Sequence, residues 1–327
     1  MMAAGVALQS IREAVETACR APSLHNSQPW RWTMSGGRLQ LHADGSRSVP
    51  VADPIGRQMV ISCGAVLHHF AVVISRYGWG AAVERLPDSR NPMHLATVAF
   101  EPLPRSRAAD TENRSDALRT AIAHRRTDRR PFAAPRPADL VGVDEDLVPR
   151  FGASLTMLGE DGPSRMAEAA RNSASIRRYD PAYHAELYWW AGHRLPDQGI
   201  PGAALPAEGA VPVGREFPVG TLASPESGPD RAALAVISTE ADTRLDWLRS
   251  GEALSHVLLT ATSRGLATCP LTHLTEVSAS RALVGDAGAD AGERFPFPQI
   301  VVRIGARPGG DAPPMTGRRP VDEVWRA

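Results

Sequence analysis

Apolar residues recur at helical spacing from Val6 to Cys19, at Val6, Ile11, Val15 and Ala18, and predict a helix that stops before Pro22. Trp30 to Met34 and Arg38 to His42 then alternate around Ser35-Gly36-Gly37, the pattern of a β-hairpin. Gln58 to Tyr77 is apolar on most faces, which predicts a long buried helix ended by Gly78. His94 to Phe100 reads as a strand, and Pro102 and Pro104 close a first half. A second series follows, with helices over Asn113 to Arg126, Ser164 to Arg177, Tyr183 to Ala191, Arg244 to Arg264 and Glu276 to Leu283. Its strands are Ser154 to Leu158, Ala232 to Thr239 and Gln299 to Ile304. This order predicts an α+β chain of two halves, 1–110 and 111–327. Between Gly192 and Asp230 Pro and Gly are frequent and strong elements few, so a lid or insert is expected over 192–230.

Sliding the chain against itself by 187 positions brings the two long apolar helices into register. Gly64 then falls on Gly251, Leu67 on Leu254, His69 on His256 and Gly78 on Gly265, and each copy leads on to a strand. The coincidence suggests a duplication. Convergence of two apolar helices on one composition is the alternative, which the matched glycines disfavour.

The 327 residues carry 36 acidic and 36 basic side chains, a balance that gives no net field for nucleic acid or an anionic membrane and leaves a small molecule as the expected partner. Every basic residue is arginine, so a lysine-based mechanism is excluded and any anion site must use guanidinium groups. Cys19, Cys63 and Cys269 are odd in number and widely spaced, which argues against a disulfide framework or a zinc site and fits a reducing cytosol. Met1 to Gln9 lacks a basic region and a long apolar core, and His68-His69 interrupt the longest apolar run. No export or membrane anchoring is expected, and a cytoplasmic location is.

The candidate chemistry gathers in four stretches. In Ala21-Pro22-Ser23-Leu24-His25-Asn26-Ser27-Gln28-Pro29-Trp30, two prolines restrain a run of hydroxyl, imidazole and amide groups, as a binding loop requires; a helix cap at Ser23 and a turn into a core Trp30 would also account for it. His124 to Arg130 is basic, which suits either an anion site or a solvated helix end. Gly265 to His273 follows the second long helix, where Gly265 also suits a helix cap, and Arg318-Arg319-Pro320-Val321 forms a basic tail. The adjacent His68 and His69 point apart on a helix and make a poor metal pair. There is no nucleophile elbow and no Gly-rich dinucleotide fingerprint.

The Pro22 to Trp30 loop resembles the Pro-Ser-x-x-Asn-x-Gln-Pro-Trp segment of the FMN-dependent nitroreductase family, and Arg125-Arg126-Thr127-Asp128-Arg129 resembles that family's phosphate-binding run. The family is built as a homodimer with each flavin between two subunits, one supplying each motif. Here each half of the chain carries one of them. The resemblance, closest to the duplicated, single-chain, Acg-like branch, implies a nitroreductase-like fold of two pseudo-repeated α/β halves forming an intramolecular pseudo-dimer, monomeric and with one FMN. It further implies that Pro22, Ser23, His25, Asn26 and Gln28 edge the flavin, and that Arg125, Arg126 and Thr127 hold its phosphate and ribityl chain. Arg129 would lie near the pyrimidine edge, Pro270, Leu271 and Thr272 along the ring, and Arg318 and Arg319 back at the phosphate. Leu24, His25, Ala267 and His273 depart from the residues common at those places, and His273 could crowd the reactive face. The implied activity is hydride transfer from NAD(P)H through flavin N5 to a small acceptor such as a quinone or nitroaromatic, with no catalytic side chain and no metal required. The alternatives are FMN storage or sequestration under a closed lid, and a flavin-free interaction protein on the same fold.

Overall fold

Two long apolar helices cross at the centre of the molecule, and two sheets are arranged about them. The structure, a computed structural model, describes residues 6–104, 109–192, 197–207, 211–224 and 228–327. In the first half α1 (Leu8–Ala18) leads through the Pro22 loop to β1 (Trp30–Ser35), β2 (Arg38–Ala43), the central α2 (Arg57–Ile74), β3 (Trp79–Arg85) and β4 (His94–Pro102). The second half begins with α3 (Ala109–His124), two short helices α4 (Pro137–Leu140) and α5 (Leu147–Phe151), and β5 (Ala153–Met157). There follow α6 (Gly162–Arg177), α7 (Pro181–Trp190), β6 (Ala233–Thr239) and the other central helix α8 (Arg244–Ser263). The chain ends with β7 (Leu266–Leu271), α9 (Ser278–Asp290), β8 (Phe297–Ala306), α10 (Val321–Val324) and β9 (Trp325–Arg326).

The first sheet has strand order β3-β4-β2-β1-β9 and the second β5-β6-β8-β7. Read from its other end, the second sheet repeats the first four strands of the first. β9 completes the first sheet by pairing parallel to β1, Trp325 beside Trp32, so the last residues of the chain cross back to the first half. Between β1 and β2 the chain needs only the turn Gly36-Gly37, both with positive φ. The matching interval between β5 and β6 holds α6, α7 and the Pro/Gly-rich segment, whose described residues form a short turn at Gly202–Ala204 and isolated bridges at Ile200 and between Pro206 and Leu222.

Glycine permits the central crossing. A Cβ on Gly64 would stand 2.0 Å from the Leu248 carbonyl oxygen, and one on Gly251 1.9 Å from that of Ile61. Leu248 follows Ile61 by the same 187 positions that separate the two glycines, so the contact is reciprocal, as at a two-fold interface. Beside it Ser255 Oγ meets Nδ1 of both His68 (2.7 Å) and His69 (2.8 Å), so the consecutive histidines converge on one hydroxyl. By length and composition Arg57–Tyr77 could cross a membrane, but here it is a buried core helix.

Both helix ends at Gly78 and Gly265 use the positive φ expected of them. Three strands were not expected, β3, β7 and the two-residue β9. β3 is half-exposed along its length and shows no alternation, and β7 contains Pro270, which an edge strand tolerates. α9 runs on past Leu283 to Asp290, through Gly285 and Gly288.

Candidate functional site

Three residues other than glycine in the Pro22 loop have left-handed backbone, His25 (φ 49°), Asn26 (φ 56°) and Gln28 (φ 51°), a conformation that persists only where surrounding bonds enforce it. Those bonds are present. Ser23 Oγ accepts from the Gln28 amide at 3.0 Å, and Ser62 Oγ from the Leu24 amide at 3.1 Å. Asn26 Nδ2 donates to the carbonyls of Gly199 (3.0 Å) and Gly317 (3.1 Å), and Gln28 Nε2 to that of Asp197 (2.8 Å). The Arg319 amide donates to Gln28 Oε1 at 2.8 Å. The loop thus ties together the Pro/Gly-rich segment and the C-terminal arm.

The second loop, after α3, is stitched to β7 by the Asp128 amide, which donates to the Thr268 carbonyl at 3.0 Å. A buried Asp128–Arg130 ion pair of 2.8 Å braces it. Thr127 and Arg129 are thereby brought opposite Pro22 and Ser23, across a cavity of about 550 Å³. The loop after β7, Pro270 to His273, lines it further, with Gln58 and Ser62 from α2 and Leu254 from α8. Part of the Pro/Gly-rich segment, including Arg215 and Phe217, covers one side.

Next to this cavity, and sharing Pro22, Ser23, Thr127 and Arg129 with it, is a notch of about 50 Å³ where Arg20, Arg125, Arg126 and Arg318 converge. Among the described residues no carboxylate lines the notch. Arg125 is 6 % exposed, its Nε and Nη1 have no hydrogen-bond partner, and its Nη2 reaches only the Arg20 carbonyl at 3.3 Å. Burial, then Arg126 and Arg20, push its pKa down to about 10. Burial, then Arg125 and Arg20, push Arg318 down to about 9, although its guanidinium also caps the end of α1 through the carbonyls of Cys19 (2.8 Å) and Arg20 (3.0 Å). Concentrated, desolvated positive charge with unused donors is the complement of a multiply charged anion.

The larger cavity has a different character. His25 is 5 % exposed with neither ring nitrogen partnered, and Nε2 of His273 and of Gln58 are likewise unpaired. Burial, then Arg215 and Arg129, hold His25 well below the usual imidazole range, and burial followed by Arg215 does the same to His273. Both rings are neutral at pH 7 and offer hydrogen bonds rather than charge. Phe217 lies edge-on to His25 (5.9 Å between centroids) and 5.0 Å from the Arg129 guanidinium, which donates to the Ala204 carbonyl at 3.3 Å. Burial opposes the charge of Arg215, but Glu276 and Tyr183 together raise its pKa. Its guanidinium is paired with Glu276 and donates to the Tyr183 hydroxyl at 2.6 Å.

Of the residues singled out from sequence, Pro22, Ser23, His25, Thr127, Arg129, Pro270, Leu271 and Thr272 line the larger cavity, and Asn26, Arg125, Arg126 and Arg318 the notch. Gln28 and Arg319 line neither. Gln28 is fully buried behind the loop, and Arg319 faces Asp44 (3.7 Å) and Glu323 (3.3 Å). Arg20, Gln58, Arg215 and Phe217 were missed. Arg20 directly precedes the proline loop and Gln58 is a polar residue opening an apolar helix, and both features were visible. Arg215 and Phe217 sit in a stretch without periodicity and carried no signal. Among the described residues no cluster of His, Cys, Asp or Glu is arranged to hold a metal.

No family model matches the chain. A Mycobacterium tuberculosis protein named "Putative NAD(P)H nitroreductase acg" is 44 % identical over 323 residues, 96 % of this chain and 95 % of that protein. A second from the same organism, described as uncharacterized, is 41 % identical over 330 residues, 96 % of this chain and 92 % of its own length. A third, again named as a putative NAD(P)H nitroreductase, is 35 % identical over 97 % of this chain and 91 % of its own. A crystal structure of a nitroreductase with bound FMN from Bacteroides fragilis NCTC 9343 is a distant likeness, with TM-score 0.38 and 15 % identity over 60 % of this chain and 90 % of that one. Sequence identity of this extent, along almost the whole length of both chains, places the protein in the same NAD(P)H nitroreductase family as acg.

Proposed function

We propose that the protein binds one FMN across its two halves and acts as an NAD(P)H-dependent reductase of small electron acceptors. The observation that carries the reading is the arginine notch opening into a cavity lined by unpaired donors. The residues present suit the group. Arg125, Arg126 and Arg20 would hold the phosphate, Ser23 and Thr127 stand where the notch meets the cavity, and Arg129 would favour negative charge on the ring. Bound there, FMN would supply two-electron hydride chemistry between NAD(P)H and a small acceptor. The chain's own part is to bind, orient and exclude water. Asn26 fixes the loop, neutral His25 and Gln58 offer hydrogen bonds without adding charge, and the covering segment shields one side. The shared strand order and the reciprocal glycine contact support reading the two halves as an intramolecular pseudo-dimer descended from a duplication. Activity as a monomer and a cytoplasmic location belong to the same proposal.

A second reading, storage or sequestration of FMN, is favoured by Phe217 and its neighbours, which cover the cavity and would keep a nicotinamide beyond the ~3–3.5 Å approach that hydride transfer needs. Anaerobic mixing of FMN-loaded protein with NADPH and with NADH separates the two. Bleaching of the flavin band followed by reoxidation with a quinone is the result expected. Reduction by dithionite alone would establish storage, and colourless protein that fails to take up FMN would remove both.

A further inference from the structure

A second cavity lies away from this site, between the C-terminal half of α2, the helix α3 and the start of α5, and its volume is about 720 Å³. Ala71, Val72 and Leu118 give it an apolar floor. His68 lines it too, 2 % exposed, with its Nε2 buried and without a partner.

The hydrogen-bond network decides what that nitrogen carries. His69 Nδ1 lies 3.0 Å from the Ala65 carbonyl, which only accepts, so His69 must donate from Nδ1. Its N–H is shared with Ser255 Oγ at 2.8 Å. The Ser255 hydroxyl then directs its hydrogen to the one acceptor within its reach, His68 Nδ1 at 2.7 Å. With Nδ1 accepting, neutral His68 has its proton on Nε2, a buried N–H without a partner on a residue that lines the cavity.

Phe151 joins this donor to a cation. Its ring meets His68 edge-on at 5.5 Å, and the Arg150 guanidinium stacks 5.1 Å from its centroid. Among the described residues the charged groups around the cavity are Arg114, Glu145, Asp146 and Arg150. Arg114 and Glu145 form an ion pair with each other, and on the exposed rim the Arg150 amide donates to the Asp146 carbonyl at 3.0 Å, while the Asp146 carboxylate acts on the Arg150 guanidinium through charge alone. Burial, then Arg150 and Arg114, lower the neighbouring His256 to about 4, against a smaller opposing effect of Glu145.

We propose that this cavity is a binding site for a small organic carboxylate, its apolar body on Ala71, Val72 and Leu118 and its carboxylate between the His68 Nε2–H and the Arg150 guanidinium. The site is independent of the flavin reading. Its residues on α2 lie on the far half of that helix from Gln58 and Ser62, which line the larger cavity.

Benzoate, its neutral isostere benzamide and inorganic phosphate are suitable probes, titrated calorimetrically into the full-length protein. Benzoate is expected to bind once per chain, with benzamide and the Arg150→Gln variant each weakening binding about tenfold, the loss of one charge-assisted contact. Arg150 is solvent-exposed, so this variant tests the site without threatening the fold. In imidazole ¹⁵N spectra the His68 Nε2 resonance should be that of a protonated nitrogen and should move on adding benzoate. Several results would overturn the assignment: no benzoate binding up to tens of millimolar, equal affinity for benzamide, or indifference to Arg150→Gln. Loss of benzoate binding in Arg125→Gln with Arg150→Gln unaffected would place the anion in the arginine notch and equally refute it.

Discussion

Positions related by the shift of 187 residues lie on both sides of the central helix pair, yet they are built to opposite ends. On one side Ser62, Leu254 and Thr272 line an open cavity. Their counterparts are Arg249, Leu67 and Arg85. Leu67 is fully buried, and Arg85 makes a two-pronged ion pair with Glu252, at 2.7 and 2.8 Å, in which the carboxylate is 4 % exposed. A shared strand order therefore sets where a site can be, and a few side chains decide whether space is left there. Where the first side leaves Arg125 uncompensated, the second pairs Arg85 with Glu252 within the protein.

The comparison can be broken most forcefully at the point the two halves share. Gly64→Ala and Gly251→Ala each drive a methyl group into backbone atoms of the opposite helix, which cannot move aside as a side chain would. Each should cost more than about 3 kcal/mol or prevent folding, and the two by similar amounts if the contact is truly reciprocal. Urea denaturation measures both, and a loss below about 1 kcal/mol in either would contradict the crossing.

The filled interface is the next test. Glu252→Gln leaves Arg85 without its charge partner, at an expected cost of about 3–5 kcal/mol, whereas Arg85→Met combined with Glu252→Leu should be close to neutral. A double variant as unstable as the single one would show that the pair does more than fill space.

The buried histidines between the halves set the acid limit. His68, His69 and His256 are neutral in the fold, with burial the first cause in each case. Because their pKa values are lowered on folding, the unfolded chain binds more protons and stability falls as pH drops below the ordinary imidazole value. For His256 the loss grows from about pH 6.5 and is complete below about pH 4, amounting to about 3 kcal/mol. His256→Asn should flatten this part of the stability profile, and an unchanged slope between pH 6 and pH 4 would assign the acid lability elsewhere.

The smallest effect sharpens the open side. Arg125→Gln should weaken FMN binding about tenfold, as read by flavin fluorescence, while leaving the ligand-free protein as stable or more so, because a buried cation without a counter-charge is removed. Asn26→Ala should weaken FMN binding and loosen the covering segment together, since the same amide holds Gly199 and Gly317. Wild-type proteolysis of residues 197–224 in that variant would separate binding from tethering.

Much of the scaffold could be read along the chain because its signals are local. Both long helices are rich in apolar residues and are followed by a glycine in left-handed conformation, and the first hairpin alternates around Gly36-Gly37. β3, with no alternation, and β7, with its internal proline, are strands because β4 and β8 supply partners, and no local pattern reports a partner. The site divides in the same way. Arg125, Thr127 and Ser23 stood out in short polar runs bounded by proline, whereas Arg215 and Phe217 enter the cavity from a segment whose course depends on bonds to distant residues.

The sequence by itself determined the helices, the matched glycines, the two polar loops and an anion chemistry restricted to arginine, since each follows from residue type and near-neighbour spacing. Only the tertiary structure decided that Gly64 meets Gly251, that Gln28 and Arg319 brace the loop from behind, and that Arg20 joins Arg125 in one notch. It also decided that space is left beside Ser62, Leu254 and Thr272 while the Arg85–Glu252 pair occupies the place equivalent to Thr272. The physical reason is that cavities, charge compensation and unpaired donors are properties of groups brought together from distant positions, and burial, which gives them their energetic weight, exists only once the chain has folded.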